Sequence, residues 1–163
     1  MKQPAAPMSA AIKVITGAVM ALTVGFLVAG LFLAVFLAAA GLLAIILLGC
    51  FLTAPVAYEL AGDSLRVHTR LGVKAFSPVL GCTPVRDCFP GVRVCGNGGL
   101  FAGTGLFWCQ EYGFYRAYVT SARTGALLWV ETPKRRILIS PADPGAFAAS
   151  GDQRRNALPV AGA

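Results

Sequence analysis

Two patterns of apolar and polar positions divide this chain. From Val14 to Tyr58, 45 residues pass without a charged side chain, Asn, Gln or His. Thr16, Thr23, Thr53 and the thiol of Cys50 are the polar interruptions before Tyr58. One helix of that length would measure about 65 Å, roughly twice the hydrocarbon thickness of a bilayer. Two helices joined by a tight turn fit. The pattern predicts a first helix over Ile12–Ala29, a turn at Gly30 and a second helix over Leu33–Thr53, with Pro55 marking its end. The run far exceeds the apolar core of a secretory signal, about 7–15 residues, so the hairpin reads as an uncleaved anchor. Gly17, Ala21, Gly25 and Ala29 recur every four residues on the first helix, and Ala34, Ala38 and Gly41 make a similar face on the second. Small residues at such spacing let helix backbones approach closely in lipid, which makes these faces the expected seam.

After Pro55 the period shortens to alternation. Candidate strands are Val56–Leu60, Ser64–Thr69, Ala75–Leu80, Val92–Cys95, Phe114–Ser121, Ala126–Glu131 and Arg136–Ser140, with turn residues between them. Ala61-Gly62-Asp63, Arg123-Thr124-Gly125 and Thr132-Pro133-Lys134 are the expected hairpin turns. Short strands at regular spacing predict a sandwich or small barrel. Asp143 at N-cap and Pro144 at N1 then open a helix, kept short by Gly145 and Gly151 and anchored by Phe147. The expected organisation is an N-terminal tail (1–11), a two-helix hairpin (12–54), a mainly-β domain (55–150) and a disordered tail (151–163) containing Arg154 and Arg155.

Charge orients the hairpin. Fourteen Lys and Arg oppose seven acids, and only Lys2 and Lys13 precede the hairpin, so the part after it keeps a net charge of +5. Lys2 and Lys13 flank the first helix, Arg66, Arg70 and Lys74 follow the second, and the turn between the helices is uncharged. The positive-inside rule then places both ends in the cytoplasm. Without a dense Lys/Arg stripe or a recognised motif, nucleic acid is not an expected partner.

At this point a resemblance becomes visible. The hairpin is followed by Ala-Pro-Val-Ala-Tyr-Glu-Leu (54–60), then Asp-Ser-Leu-Arg-Val (63–67). A glycine-rich segment from Gly96 to Gly103 comes next, then Gly-Phe-Tyr-Arg-Ala-Tyr-Val-Thr (113–120) and Ile-Leu-Ile-Ser-Pro-Ala-Asp-Pro-Gly-Ala-Phe (137–147). From about Ala54 to Ala149 this resembles the membrane-anchored bacterial pleckstrin-homology-like (bacterial PH) domain family. The resemblance implies a PH-like fold: two packed antiparallel sheets, about seven strands and a short C-terminal helix plugging one end. Together with the hairpin and its flanking charges, it makes the cytoplasmic membrane of a bacterium the expected location, with two spans and both termini cytoplasmic. It implies little chemistry, because such a fold hosts many unrelated binding roles. Eukaryotic PH domains grip phosphoinositides between their first strands; here that turn is the short, acidic Ala61-Gly62-Asp63, and the site is not carried over.

Candidate chemistry is sparse. The five cysteines are Cys50, Cys82, Cys88, Cys95 and Cys109, with no CxxC pair, and His68 is the one histidine. That spacing argues against zinc and no cofactor is expected. A disulfide such as Cys82 with Cys88 would require an oxidising compartment; small buried thiols are the plainer reading. Every nucleophile–base pairing would have to recruit His68, so no catalytic residue is expected. Five glycines between Gly96 and Gly105 lack the dinucleotide and phosphate-loop patterns and read as a bulged or flexible connection needing positive φ. Arg66, Arg70, Lys74, Lys134, Arg135 and Arg136 are the candidate contacts for anionic lipid or a partner, each charge contributing about 1 kcal/mol near such a surface. The expected function is a non-catalytic binding or scaffolding module held on the inner face of the membrane. Its expected partners are the bilayer and an unidentified protein, with homo-oligomerisation open. The alternatives are recognition of anionic headgroups through the basic face, and an external, disulfide-bonded domain.

Overall fold

The structure, a computed structural model, describes residues 2–30, 34–85, 91–121, 123 and 125–157. Its first element is a strand. β1, Lys2–Pro4, runs antiparallel to β2, Pro55–Ala61, with Lys2 opposite Glu59, Gln3 opposite Tyr58 and Pro4 opposite Ala57. The connection onward is tied down by backbone bonds: Ala5 N–H donates to Val56 O (3.1 Å), Ala6 N–H to Ser140 O (2.9 Å) and Ser9 N–H to Thr120 O (3.2 Å). The N-terminal tail expected over 1–11 is therefore corrected to a sheet edge and a strap. Three residues carry no readable alternation, and their partner lies some fifty positions away.

Between these two strands stand the helices α1, Ala10–Ala29, and α2, Ala34–Thr53. At 20 residues each they measure about 30 Å, the thickness of a bilayer core. Their sheltered positions follow a spacing of three and four: Ile12, Thr16, Val19, Thr23 and Phe26 on α1, with Phe36, Ala40, Leu43, Leu47 and Cys50 on α2. Phe26 and Phe36 meet near the turn with ring centroids 5.9 Å apart. This corrects the expected small-residue seam. A Cβ added at Gly17, Gly25 or Gly41 would meet nothing within 4 Å, and Ala21, Ala34 and Ala38 are exposed; Ala29 alone of that set is half-buried. The sheltered positions mix Thr16, Thr23 and Ala40 with Ile12, Val19, Phe26, Phe36, Leu43 and Leu47 at the three-and-four spacing of a coiled-coil seam, and the predicted small faces turn outward.

The remaining chain folds into two sheets. The smaller has the order β1-β2-β3-β4, with β3 at Ser64–Thr69 and β4 at Val73–Phe76. The larger contains β5 (Gly81–Pro84), β6 (Val92–Gly98), β7 (Gly103–Cys109), β8 (Gly113–Val119), β9 (Leu128–Glu131) and β10 (Arg136–Ile139), in the order β5-β9-β10-β8-β7-β6. Neighbours are antiparallel except β8 and β10, which are parallel. The described strands exceed the seven predicted by Lys2–Pro4, Gly81–Pro84 and Gly103–Cys109, each of which carries Gly or Pro and reads locally as turn.

The main core lies between the sheets: Tyr58, Leu65 and Val67 from the smaller, Leu128, Val130, Ile137 and Ile139 from the larger, closed by Phe147. Alternation along the same strands sends Tyr115, Ala117, Trp129 and Leu138 to the other face of the larger sheet, where Phe107, Tyr115 and Trp129 pack ring against ring. Phe147 belongs to α3, Pro144–Ala157. Asp143 caps that helix as predicted, its Oδ1 accepting from Ala146 N–H at 2.9 Å. Gly151 does not end it. A Cβ there would lie 3.2 Å from Cys82 Sγ, so this glycine is a contact between α3 and β5. Helix thus takes the first seven residues of the tail expected to be disordered, and 158–163 lie outside the described residues.

Candidate functional site at the hairpin–domain junction

Two turns hold the domain against the hairpin. The β3–β4 turn hydrogen-bonds to the end of α2, Leu71 N–H donating to Leu52 O (3.0 Å) and Arg70 Nη1 to Phe51 O (3.4 Å). The Arg70 guanidinium also lies 4.1 Å from the Phe51 ring centroid. A cation here meets both the negative end of the helix dipole and an aromatic face. The second turn is the glycine-rich one. β6 and β7 make a hairpin in which Gly96 and Gly105 are paired, both at positive φ. A Cβ on Gly96 would come within 2.4 Å of Thr104 O, so only glycine lets these backbones approach. Asn97 shapes the tip, its Oδ1 accepting from Gly99 N–H (3.2 Å) and Leu100 N–H (3.0 Å). The tip then reaches both helices. Phe101, itself at φ +60°, donates its N–H to Thr16 Oγ1 of α1 (2.9 Å), and its ring stands edge-on to Phe51 of α2 at 5.4 Å.

Beside this junction a cleft of about 650 Å³ opens between the last turns of α2 and the β6-β7-β8 face. Ile46, Gly49 and Cys50 form its helical wall, Leu106 lies on its sheet side, and Lys74 and Arg116 are its two cations. Lys74 Nζ is 5.3 Å from the Tyr118 ring centroid. A second cleft, about 340 Å³, continues along β4 past Ala75, Phe76 and Ser77 to the β9–β10 turn; it holds Lys134 and Arg135 and shares Arg116 with the first. Among the described residues, none of these four cations has a carboxylate within ion-pair distance.

The structure thus gathers Lys74, Lys134 and Arg135 from the expected basic set and adds Arg116, which sequence reading missed. Arg116 shares one face of β8 with Phe114 and Tyr118 and alternates with Tyr115 and Ala117, and that alternation was its available signal. Arg70 is occupied at the helix end. Arg66 lies on the outer face of the smaller sheet opposite Glu59. Arg136 points to the far side of the larger sheet, paired with Glu131 (3.1 Å) and stacked over Tyr112 (4.4 Å to the centroid). His68 is likewise engaged: its Nε2 lies 2.9 Å from Glu59 Oε2. That hydrogen bond, aided by the positive charge of Arg66, holds the Glu59 carboxyl below its ordinary value.

Among the described residues Cys82 and Cys109 are buried, Cys50 is half-buried and Cys95 is exposed. Cys88 lies outside the described residues, and with it the disulfide weighed above. No group of three or more His, Cys, Asp and Glu gathers as metal ligands among the described residues.

The family model described as Bacterial PH domain matches residues 56–155, more than half of the chain. The chain belongs to the bacterial PH domain family. No curated protein and no solved structure matches it. The bacterial PH match begins inside β2 and ends within α3, so β1 and both apolar helices precede it. The larger cleft straddles that boundary, and the second lies within the match. Lys74, Arg116, Lys134 and Arg135 belong to the PH domain, whereas Ile46, Gly49 and Cys50 belong to the hairpin.

Proposed function

We propose that this bacterial PH protein is a non-catalytic binding or scaffolding module held at the inner face of the cytoplasmic membrane by two spans, with both termini in the cytoplasm. Membership in the family supports the coarse reading of a binding module. The observation that carries the finer one is the pairing of β1 with β2. These strands flank the hairpin in sequence and lie side by side in one sheet, which supports a chain that enters and leaves the bilayer on the same side. An even number of spans meets that condition, and the charges of Lys2, Lys13, Arg66, Arg70 and Lys74 favour the cytoplasmic side.

Paired reporters test this. A fluorescent protein that matures in the cytoplasm, fused to the C-terminus, should glow, and an externally active phosphatase at the same place should stay silent. The chain should also resist alkaline extraction from membranes. Phosphatase activity would overturn the orientation and favour the external domain; extraction into the soluble fraction would overturn the anchor.

A second reading, recognition of anionic headgroups, is favoured by the gathering of Lys74, Arg116, Lys134 and Arg135 around adjoining clefts. Binding of the full chain, reconstituted in vesicles, to added anionic vesicles should then fall as salt rises.

A further inference from the structure

We infer that the larger cleft is the seat of one anionic phospholipid, its phosphate between Lys74 and Arg116 and one acyl chain laid against Ile46 and Gly49 of α2. The inference deepens the headgroup reading and rests on the hairpin lying in a bilayer.

Three features of the cleft point to an amphiphile with an anionic head. Its walls are of two kinds: an apolar stretch of a helix long enough to span a bilayer, and strands of both sheets that carry two cations, Lys74 on β4 and Arg116 on β8. Its volume of about 650 Å³ lies in the range of small-molecule sites, about 300–1,000 Å³. Gly49 leaves the helical wall open, for a Cβ there would meet nothing within 4 Å. Ile46, Gly49, Cys50 and Thr53 recur at three, four and seven residues, so the open strip follows one face of α2 upward from the domain. Lys74 and Arg116 sit at its lower end, where a headgroup would meet the domain. Lys134 and Arg135 lie beyond them in the second cleft, further along β4 and away from α2. Two hydrogen-bonding cations without a carboxylate partner among the described residues suit a phosphodiester. A soluble acidic peptide would match the charges but leave the α2 strip uncovered.

The test uses the full-length chain in detergent micelles, read by native mass spectrometry with dioleoylphosphatidylglycerol, dioleoylphosphatidylcholine or inorganic phosphate. One phosphatidylglycerol should be retained, saturating at a single copy, and neither of the other probes should be. Lys74→Gln with Arg116→Gln should weaken that binding about tenfold or more. Gly49→Leu, which keeps both charges and fills open space, should weaken it comparably. Lys134→Gln with Arg135→Gln should change it by no more than about twofold, since those charges act at longer range. Undiminished binding in the Lys74/Arg116 variant would overturn the seat. So would lipid copies that rise without a step at one, retention of phosphate alone, or displacement of the lipid by a polyglutamate peptide. The anchor is tested apart from this. A chain that resists alkaline extraction yet retains no lipid overturns the seat and leaves the anchor standing; an extracted chain overturns the anchor itself.

Discussion

The hairpin and the β domain spend the same residue types in opposite ways. In the domain, Leu65, Ile137, Leu138 and Phe147 are fully buried, drawn from water at about 25 cal/mol per Å² of apolar surface. In the hairpin, Val14 and Ile45 are each 70 % exposed, and the helices shelter one narrow seam. A water-facing surface of that kind has no counterpart in a stable soluble fold. On the proposed anchor, the difference teaches that this chain is built for two solvents. Side-chain burial shapes the domain, while the hairpin would rely on lipid to cover what it turns outward and on dispersion contacts along its seam.

Substitutions can sharpen or break that comparison. The largest effect is expected from Phe147→Ala, which empties the space between the sheets. It should cost about 3–5 kcal/mol, read as a lowered unfolding midpoint of the full chain in detergent. Next comes Tyr58→Phe. The Tyr58 hydroxyl donates to Tyr118 O at 2.7 Å inside the core, and its removal leaves that buried carbonyl short of a partner. A loss of about 1–3 kcal/mol is expected in the same assay. Ile45→Ala, on the outward face of α2, should change the midpoint by no more than about 0.5 kcal/mol. If it costs as much as Phe147→Ala, the hairpin is packed like a core and the comparison fails.

The smallest effect concerns pH. Glu59 is held below its ordinary value by His68, so its contribution is full above the unfolded carboxyl value of 4.5 and is lost as pH falls through the lower folded value. Glu59→Gln should therefore lower stability slightly at neutral pH, leave it unchanged below the folded carboxyl value, and so flatten the acid limb of the stability–pH curve. A parallel curve in the variant would remove the His68–Glu59 pair from the account.

Much of the fold was legible because it is local. The span lengths follow from an unbroken apolar run, Ser64–Thr69 from strict alternation, and the start of α3 from Asp143 and Pro144. What escaped was non-local or carried by one residue type in two roles. β1 needs a partner some fifty positions away. Gly103–Cys109 is a strand whose glycines signal close approach rather than a loop, since Gly105 must pass the Cys95 carbonyl. The seam between the helices was misread because small residues occur on several faces of each helix, and the sheltered face carries Thr16, Val19, Thr23 and Phe26 on one and Phe36, Ala40, Leu43 and Leu47 on the other. Arg116 escaped because alternation places it on a face but does not say which neighbours share that face. Of the candidate site, the basic charges were legible and their grouping was not.

The pairing of Lys2–Pro4 with Ala57–Glu59 also sets an order of events during synthesis. The first strand emerges from the ribosome long before its partner exists, and both apolar helices must be made in the interval. Until β2 has followed α2 out, β1 has no partner and the smaller sheet stays unfinished. The first strand to be made is thus left as an unpaired edge, the kind of feature that invites pairing with other chains, for as long as both helices take to be synthesised.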